Sequence, residues 1–348
     1  MQTELFVFSL ATGCAAAVWY GHTYLPQERW QILASVPVRK DSEGRWEGVN
    51  ITWYGVLIAT AKVCGAGLAL TLLTGMGIPL PVVLATVALI LGASLPAAKI
   101  VAKFVERRQS TFTVAGASCV GFTISPWIVF GLARLGVFPA AEDFPTMSVL
   151  AGLVVAYPLG EGLGRLACVS FGCCYGKPLD QCGATIQNLL APWAITFEGP
   201  TKKANYEGRL QGRPLVPIQL ITSGVNLLIT VGALELLLHE FSRSAYLLAV
   251  AGSQTWRVIS ETLRADYRGG GKISAYQWMA LFSAAYAIAT SVVLPNPPVS
   301  INLLQGLQAL WNPLAIISLQ GLWISIVWYM GRSTVTAATL AFRVRYPS

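Results

Sequence analysis

The sequence predicts an all-α, polytopic helical membrane protein, and three observations carry that reading. Of 348 residues, 54% are hydrophobic and only 11% are charged, against roughly a quarter charged in an ordinary soluble domain. Asp, Glu, Lys and Arg are missing altogether from residues 5–27, 63–98, 109–133, 144–160, 214–234 and 273–331, and each such run can hold one or more bilayer-spanning helices of about 20 residues. The runs are rich in Leu, Ala and Gly and lack the ten-residue alternation of an outer-membrane barrel. A soluble globular enzyme is thereby excluded.

The elements follow in order. Residues 5–20 have Glu4 ahead of them and no basic cluster, so they read as a membrane helix and not as a cleaved signal. Residues 21–51 read as a mixed-charge loop. Ile51-Thr52-Trp53-Tyr54-Gly55 then sets aromatic side chains where a membrane interface suits them. It opens helices expected near 52–74, 79–101, 113–133, 147–168, 215–240, 245–263 and 275–294. Between the fourth and fifth of these, residues 169–214 carry Gly, Pro, Lys and Arg without a sustained apolar run, which reads as an extramembrane arm or lid. One more helix near 305–330 precedes a basic tail. The expected architecture is a seven-helix core with one extra helix at each end, nine helices in all. It divides into an N-terminal helix and loop (1–50), the core (51–295) and a C-terminal helix and tail (296–348).

Net charge is +8. Such a surface favours anionic lipid and phosphate, and snorkelling of Lys and Arg at helix ends accounts for much of it; a bilayer, not a nucleic acid, is the expected partner. Seven cysteines are present. Cys14, Cys64 and Cys119 fall in apolar helices, where a thiol acts as a small hydrophobe, whereas Cys168, Cys173, Cys174 and Cys182 cluster. Their spacing and the lack of histidine partners do not suit zinc. No metal or other cofactor is expected.

Charged side chains inside apolar helices cost a few kcal/mol each and mark function. Glu161 and Arg165 lie four apart in Pro158-Leu159-Gly160-Glu161-Gly162-Leu163-Gly164-Arg165, on one helical face with the acid first. Arg257 and Glu261 repeat the spacing in reverse, followed by Arg264. Two such pairs can neutralise each other and still offer guanidinium forks, which bind phosphate oxygens bidentately and stay charged at any working pH. Lys62 sits in mid-helix with no local acid and receives no role. Glycines at 160, 162, 164, 172 and 176 allow close helix approach or backbone contact with a ligand.

Five motifs in register give the chain a resemblance. They are Thr52-Trp53-Tyr54-Gly55; Gly164-Arg165-Leu166-Ala167-Cys168-Val169-Ser170-Phe171-Gly172-Cys173-Cys174-Tyr175-Gly176-Lys177; Pro214-Leu215-Val216-Pro217-Ile218-Gln219-Leu220; Arg257-Val258-Ile259-Ser260-Glu261-Thr262-Leu263-Arg264-Ala265-Asp266; and Ile273-Ser274-Ala275-Tyr276-Gln277. Over about residues 50–295 the chain resembles the phosphatidylglycerol-prolipoprotein diacylglyceryl transferases of bacterial inner membranes. The resemblance implies movement of a diacylglyceryl group from phosphatidylglycerol to the lipobox cysteine of a prolipoprotein signal peptide, with release of glycerol phosphate. It implies that Arg165 and Arg257 hold the phosphate and stabilise its developing charge, and that Glu261 orients Arg257. Tyr54, Glu161, Cys168, Gly172, Cys173, Gly176 and Gln219 would line the substrate site, and Arg264 would guard the headgroup opening.

The chain departs from the family pattern at three places. Val114-Ala115-Gly116-Ala117-Ser118 stands where many members carry a His-Gly-Gly or Tyr-Gly-Gly element. Cys168 and Cys173 stand for an Asn and a Glu, and Val216-Pro217 stands for His-Pro. No histidine stands at the first of these places, so a mechanism that needs the family's histidine base does not carry over. Orientation departs too. The loops that the family's topology would turn away from the cytoplasm carry nineteen of the 24 Lys and Arg residues, against Arg134 and Arg243 opposite, whereas basic loops ordinarily stay cytoplasmic.

Overall fold

The computed structural model describes residues 2–105, 114–138, 144–267 and 273–341; the centres of the loops expected at 99–112 and 264–274 and the end of the tail lie outside them. The helices are α1 (Gln2–Tyr24), α2 (Trp53–Gly75), α3 (Leu80–Val105), α4 (Val114–Arg134), α5 (Thr146–Phe171), α6 (Ala184–Leu190), α7 (Lys203–Tyr206) and α8 (Ile218–Leu238). They continue as α9 (Ser242–Leu247), α10 (Ser253–Glu261), α11 (Ala275–Val293), α12 (Leu303–Ala309) and α13 (Pro313–Met330). Among the described residues seven helices, α1 to α5, α8 and α13, are long and apolar enough to cross a bilayer. The protein is a multi-pass helical membrane protein.

Two expected helices are subdivided. A π-helical segment, Leu248–Gly252, joins α9 to α10; such segments insert a residue into the helical ladder and re-aim the next turn, here the turn carrying Arg257. The helix expected near 305–330 breaks before Pro313. Asn312 caps α13 by accepting from the Leu314 N–H at 2.9 Å, and proline at the first helical position loses no hydrogen bond.

The mixed-charge loop expected at 21–51 is mostly sheet. β1 (Ile32–Lys40) and β2 (Trp46–Thr52) form an antiparallel hairpin, and β3 (Arg332–Leu340), in the expected basic tail, pairs with the other edge of β2. Asp41 ties the hairpin turn by accepting from the Glu43 and Arg45 N–H groups at 2.9 and 2.8 Å. Val, Ile and Thr recur through these strands, as β-sheets favour, but the segments are short beside the apolar runs and are paired across almost 300 residues.

α5 is the central element, buried along most of its length. Its glycines permit the burial. A Cβ on Gly162 would lie 2.9 Å from Leu227 and 3.1 Å from the Ser223 carbonyl of α8, and Ser223 Oγ donates to the Gly162 carbonyl at 2.7 Å. On the facing side a Cβ on Gly65 of α2 would meet the Ala156 carbonyl at 3.0 Å. Small residues at such crossings let backbones approach where bulkier ones would hold them apart.

The arm, 169–214, is a packed module. Phe197, Ala204, Leu210 and Leu215 share a core with Leu25, Leu166, Val169 and Leu220 from the bundle. Gly172 ends α5 in the left-handed conformation at φ 71°, as helix C-caps require. Beside it the wholly buried Lys202 donates from Nζ to the carbonyls of Leu25 at 2.9 Å and Ser170 at 2.6 Å. Burial pushes the pKa of this lysine down to about 7, with Glu28 and Glu198 opposing the shift.

Candidate active site

The site begins in the membrane, on α5. Glu161 and Arg165, one turn apart, are ion-paired as the spacing predicts. Arg257 of α10 reaches the same Glu161 oxygen at 3.2 Å and donates to the Tyr157 hydroxyl at 2.8 Å. One carboxylate therefore serves two guanidiniums on two helices. Glu261, one turn beyond Arg257, faces Arg264 at 3.6 Å.

Lys62 of α2 lies within electrostatic reach of Glu161, Arg165 and Arg257, with its aliphatic stem beside Gly160. Three cations thus surround one acid. Arg165 Nε and Arg257 Nε are buried and have no hydrogen-bond partner among the described residues, so both forks retain donors. A cavity of about 290 Å³ runs from Lys62 and Tyr157 between α2, α3, α4, α5 and α13, with Ser94, Ser118 and Phe122 among its walls. Among the described residues Ser125 is the only other polar side chain in its lining, so the walls are largely apolar and suit an acyl chain.

Toward the arm the helices end and the groups change. Cys168 lies in the last turn of α5, and Cys173 and Cys174 follow the Gly172 cap; their three Sγ atoms lie within 4.8 Å of one another. Cys174 has φ 55°, an uncommon conformation for any residue but glycine. Gln219 at the start of α8 donates to the Cys173 carbonyl at 3.0 Å. Gly176 pairs with Arg264 through the backbone, and a Cβ there would lie 2.2 Å from the Val216 carbonyl, so only glycine fits. Tyr54 packs edge-on against Phe171, ring centres 5.7 Å apart. Cys182, counted with the cluster in the sequence, instead directs its sulfur to the Pro178 carbonyl at 3.6 Å.

Arg264 closes this end. It forms a fork with Asp266, at 2.8 Å from Nε and 2.6 Å from Nη2. Burial opposes its charge, but the Cys174 thiol and the Asp266 carboxylate outweigh burial and hold its pKa well above the usual arginine range.

The structure thus gathers Glu161, Arg165 and Arg257 in the membrane and Cys168, Gly172, Cys173, Gly176, Gln219, Glu261 and Arg264 at its boundary, with Tyr54 alongside. Sequence reasoning passed over Tyr157, Cys174 and Asp266 as site residues and left Lys62 unexplained. Cys174 and Asp266 stand inside the quoted motifs, and Tyr157 lies four residues before Glu161, so only its burial among charges was hidden.

Comparison with known proteins agrees. Residues 45–293 match the model of a family described as prolipoprotein diacylglyceryl transferase. Among curated proteins, the chain is 28% identical over 176 residues to the phosphatidylglycerol--prolipoprotein diacylglyceryl transferase of Clostridium tetani (strain Massachusetts / E88). That alignment covers 48% of this chain and 62% of the relative. With a family match over well more than half its length, the chain belongs to the prolipoprotein diacylglyceryl transferase family.

Proposed function

We propose that the protein transfers the diacylglyceryl group of phosphatidylglycerol to the lipobox cysteine thiol of prolipoproteins in the bacterial inner membrane. The observation that carries this reading is the charge count in the buried cluster. Arg165 and Arg257 share the single carboxylate of Glu161, with Lys62 beside them, an electropositive arrangement in the bilayer that is costly to hold without an anionic ligand. The phosphodiester of phosphatidylglycerol carries one negative charge, and the glycerol phosphate released approaches two. The cluster therefore binds the product-like charge better than the substrate's, which is the condition for catalysis.

In the reaction the acceptor sulfur, as thiolate, attacks the glyceryl carbon that bears the phosphate. The C–S bond forms, the C–O bond breaks, and the electron pair leaves on glycerol phosphate. Arg165 and Arg257 donate to the phosphate oxygens as that charge grows, Glu161 holds the two forks in place, and Tyr157 steadies Arg257. The cavity beside Lys62 takes an acyl chain, and the turn after α5 faces the acceptor.

The basic residues gathered at the arm end favour a second reading, a divergent phospholipid-using transferase that serves another acceptor from the cytoplasmic side. Purified protein in detergent, given phosphatidylglycerol and a lipobox peptide, decides. A diacylglyceryl mass gain on the peptide, matched by glycerol phosphate release and lost in Arg257→Ala, is expected. No gain with folded protein would overturn the first reading, and impermeant thiol labelling of Cys182 would then report which side the arm faces.

A further inference from the structure

Three of the cysteines come together in space. Along the chain the cysteine spacing looked unsuited to zinc. In the fold, Cys168, Cys173 and Cys174 bring their sulfurs within 4.8 Å of one another. A tetrahedral zinc with Zn–S bonds of about 2.3 Å needs sulfurs about 3.8 Å apart, so the triad closes on such an ion by side-chain rotation. Among the described residues no fourth Cys, His, Asp or Glu ligand atom joins the group. Three protein ligands and one open position is the pattern of a catalytic zinc, while structural sites are closed by a fourth.

The loop is built to hold this geometry. The Cys173 N–H donates to the Cys168 carbonyl at 3.1 Å, Gln219 fixes the Cys173 carbonyl, and the Lys177 N–H donates to the Leu263 carbonyl at 3.0 Å. Between these ties Cys174 is kept in a left-handed conformation, a strain that persists only where the surroundings impose it and that gathers at functional sites. Charge agrees as well. Three thiolates on a divalent ion carry one negative charge and a fourth thiolate makes two; the guanidiniums of Arg165 and Arg264, each also facing a carboxylate, lie within electrostatic reach of the triad.

We infer that Cys168, Cys173 and Cys174 bind a zinc ion whose open position takes the acceptor cysteine thiol. This rests on the transferase reading and supplies what that reading lacks, a way to make the thiolate without a histidine base. A thiol bound to zinc is deprotonated outright, its proton passing to solvent. The metal-held sulfur then attacks the glyceryl carbon, the C–O bond to phosphate breaks, and glycerol phosphate leaves toward Arg165 and Arg257. The thioether product is neutral, a weaker ligand, and departs. Arg165 stands between the two halves, paired with Glu161 on one side and within reach of the thiols on the other.

The test uses the full-length protein, purified in detergent under a non-thiol reductant and loaded with zinc or cobalt(II). One zinc per chain is expected, lost in the triple variant C168S/C173S/C174S and kept in C182S. The cobalt form is expected to show thiolate-to-metal absorption that changes when a lipobox peptide is added and stays unchanged with the peptide's Cys→Ser counterpart. Failure of the reduced protein to take up zinc, or equal loss in C182S, overturns the inference. Transfer at the full rate by zinc-free protein overturns it while leaving the transferase reading intact. Zinc bound and answering the peptide, with no transfer from phosphatidylglycerol, overturns the transferase reading while leaving the metal site intact.

Discussion

The two halves of the site are built on opposite principles. In the membrane, Glu161, Arg165, Arg257 and Lys62 stand on regular helices, and the one carboxylate of Glu161 answers the cations around it. At the boundary, Cys168, Cys173, Cys174 and Arg264 stand at helix ends and on turns, held by backbone ties from the arm and α8. A buried charge can be replaced only together with its partners, because a lone one is left uncompensated. A turn residue can be replaced singly. Residues of the first kind, such as Arg257, are fixed by the charges around them, and residues of the second, such as Cys173, by the backbone ties around them.

The comparison breaks first at the arginines. Arg165→Ala and Arg257→Ala should each lower the transfer rate by on the order of 10²–10³-fold, the effect of deleting one donor to a developing oxyanion, with helical content retained in circular dichroism. A variant at full rate would remove the cation cluster from the chemistry.

Glu161→Gln should strike stability as well. It leaves three cations about a neutral amide, and an uncompensated buried charge costs about 3–5 kcal/mol. Thermal unfolding in detergent reads the loss, and an unchanged midpoint would mean that the two arginines do not depend on the shared acid.

Lys62→Met separates binding from turnover. If Lys62 answers the second charge on the departing phosphate, kcat falls by about tenfold with KM nearly unchanged, the signature of an interaction made only in the transition state. A rise in KM alone would make Lys62 a lipid-binding group.

The smallest effect lies in the arm. Lys202 has its pKa lowered from 10.5 to about 7 by burial. Below about 7 the folded and unfolded states both carry the proton, and the cost of the buried charge is fully present. As pH rises from about 7 toward 10.5 the folded state has released its proton and the unfolded state has not, so the docked arm gains stability with pH. Limited proteolysis within 169–214 should slow between pH 6.5 and pH 9, and Lys202→Met should abolish the trend.

Much of this was legible from the residues alone, because the membrane leaves a chain few choices. Every backbone polar group must be satisfied within the segment, so long apolar runs become helices, and a charge within them is rare enough to stand out singly. Arg165, Glu161 and Arg257 were visible on that ground without any structure. Tyr157 was not, since a tyrosine in an apolar run carries no mark until a charge is seen against its hydroxyl. The sheet was missed for a related reason: β1, β2 and β3 are short, and β3 reaches β2 from the far end of the chain.

By itself the sequence determined the class of fold, the succession of apolar helices and the set of intramembrane charges, all consequences of transfer free energy and helical spacing that act within one segment. Only the tertiary structure decided which groups meet. Glu161 serves both Arg165 and Arg257 because the glycines of α5 let its neighbours approach and the π-helical segment before α10 re-aims Arg257. Three of the four clustered cysteines converge while Cys182 turns away, because Gly172 reverses the chain after α5 and Gln219 holds the Cys173 carbonyl in the turn beyond it. Such choices belong to long-range packing, which no single segment encodes.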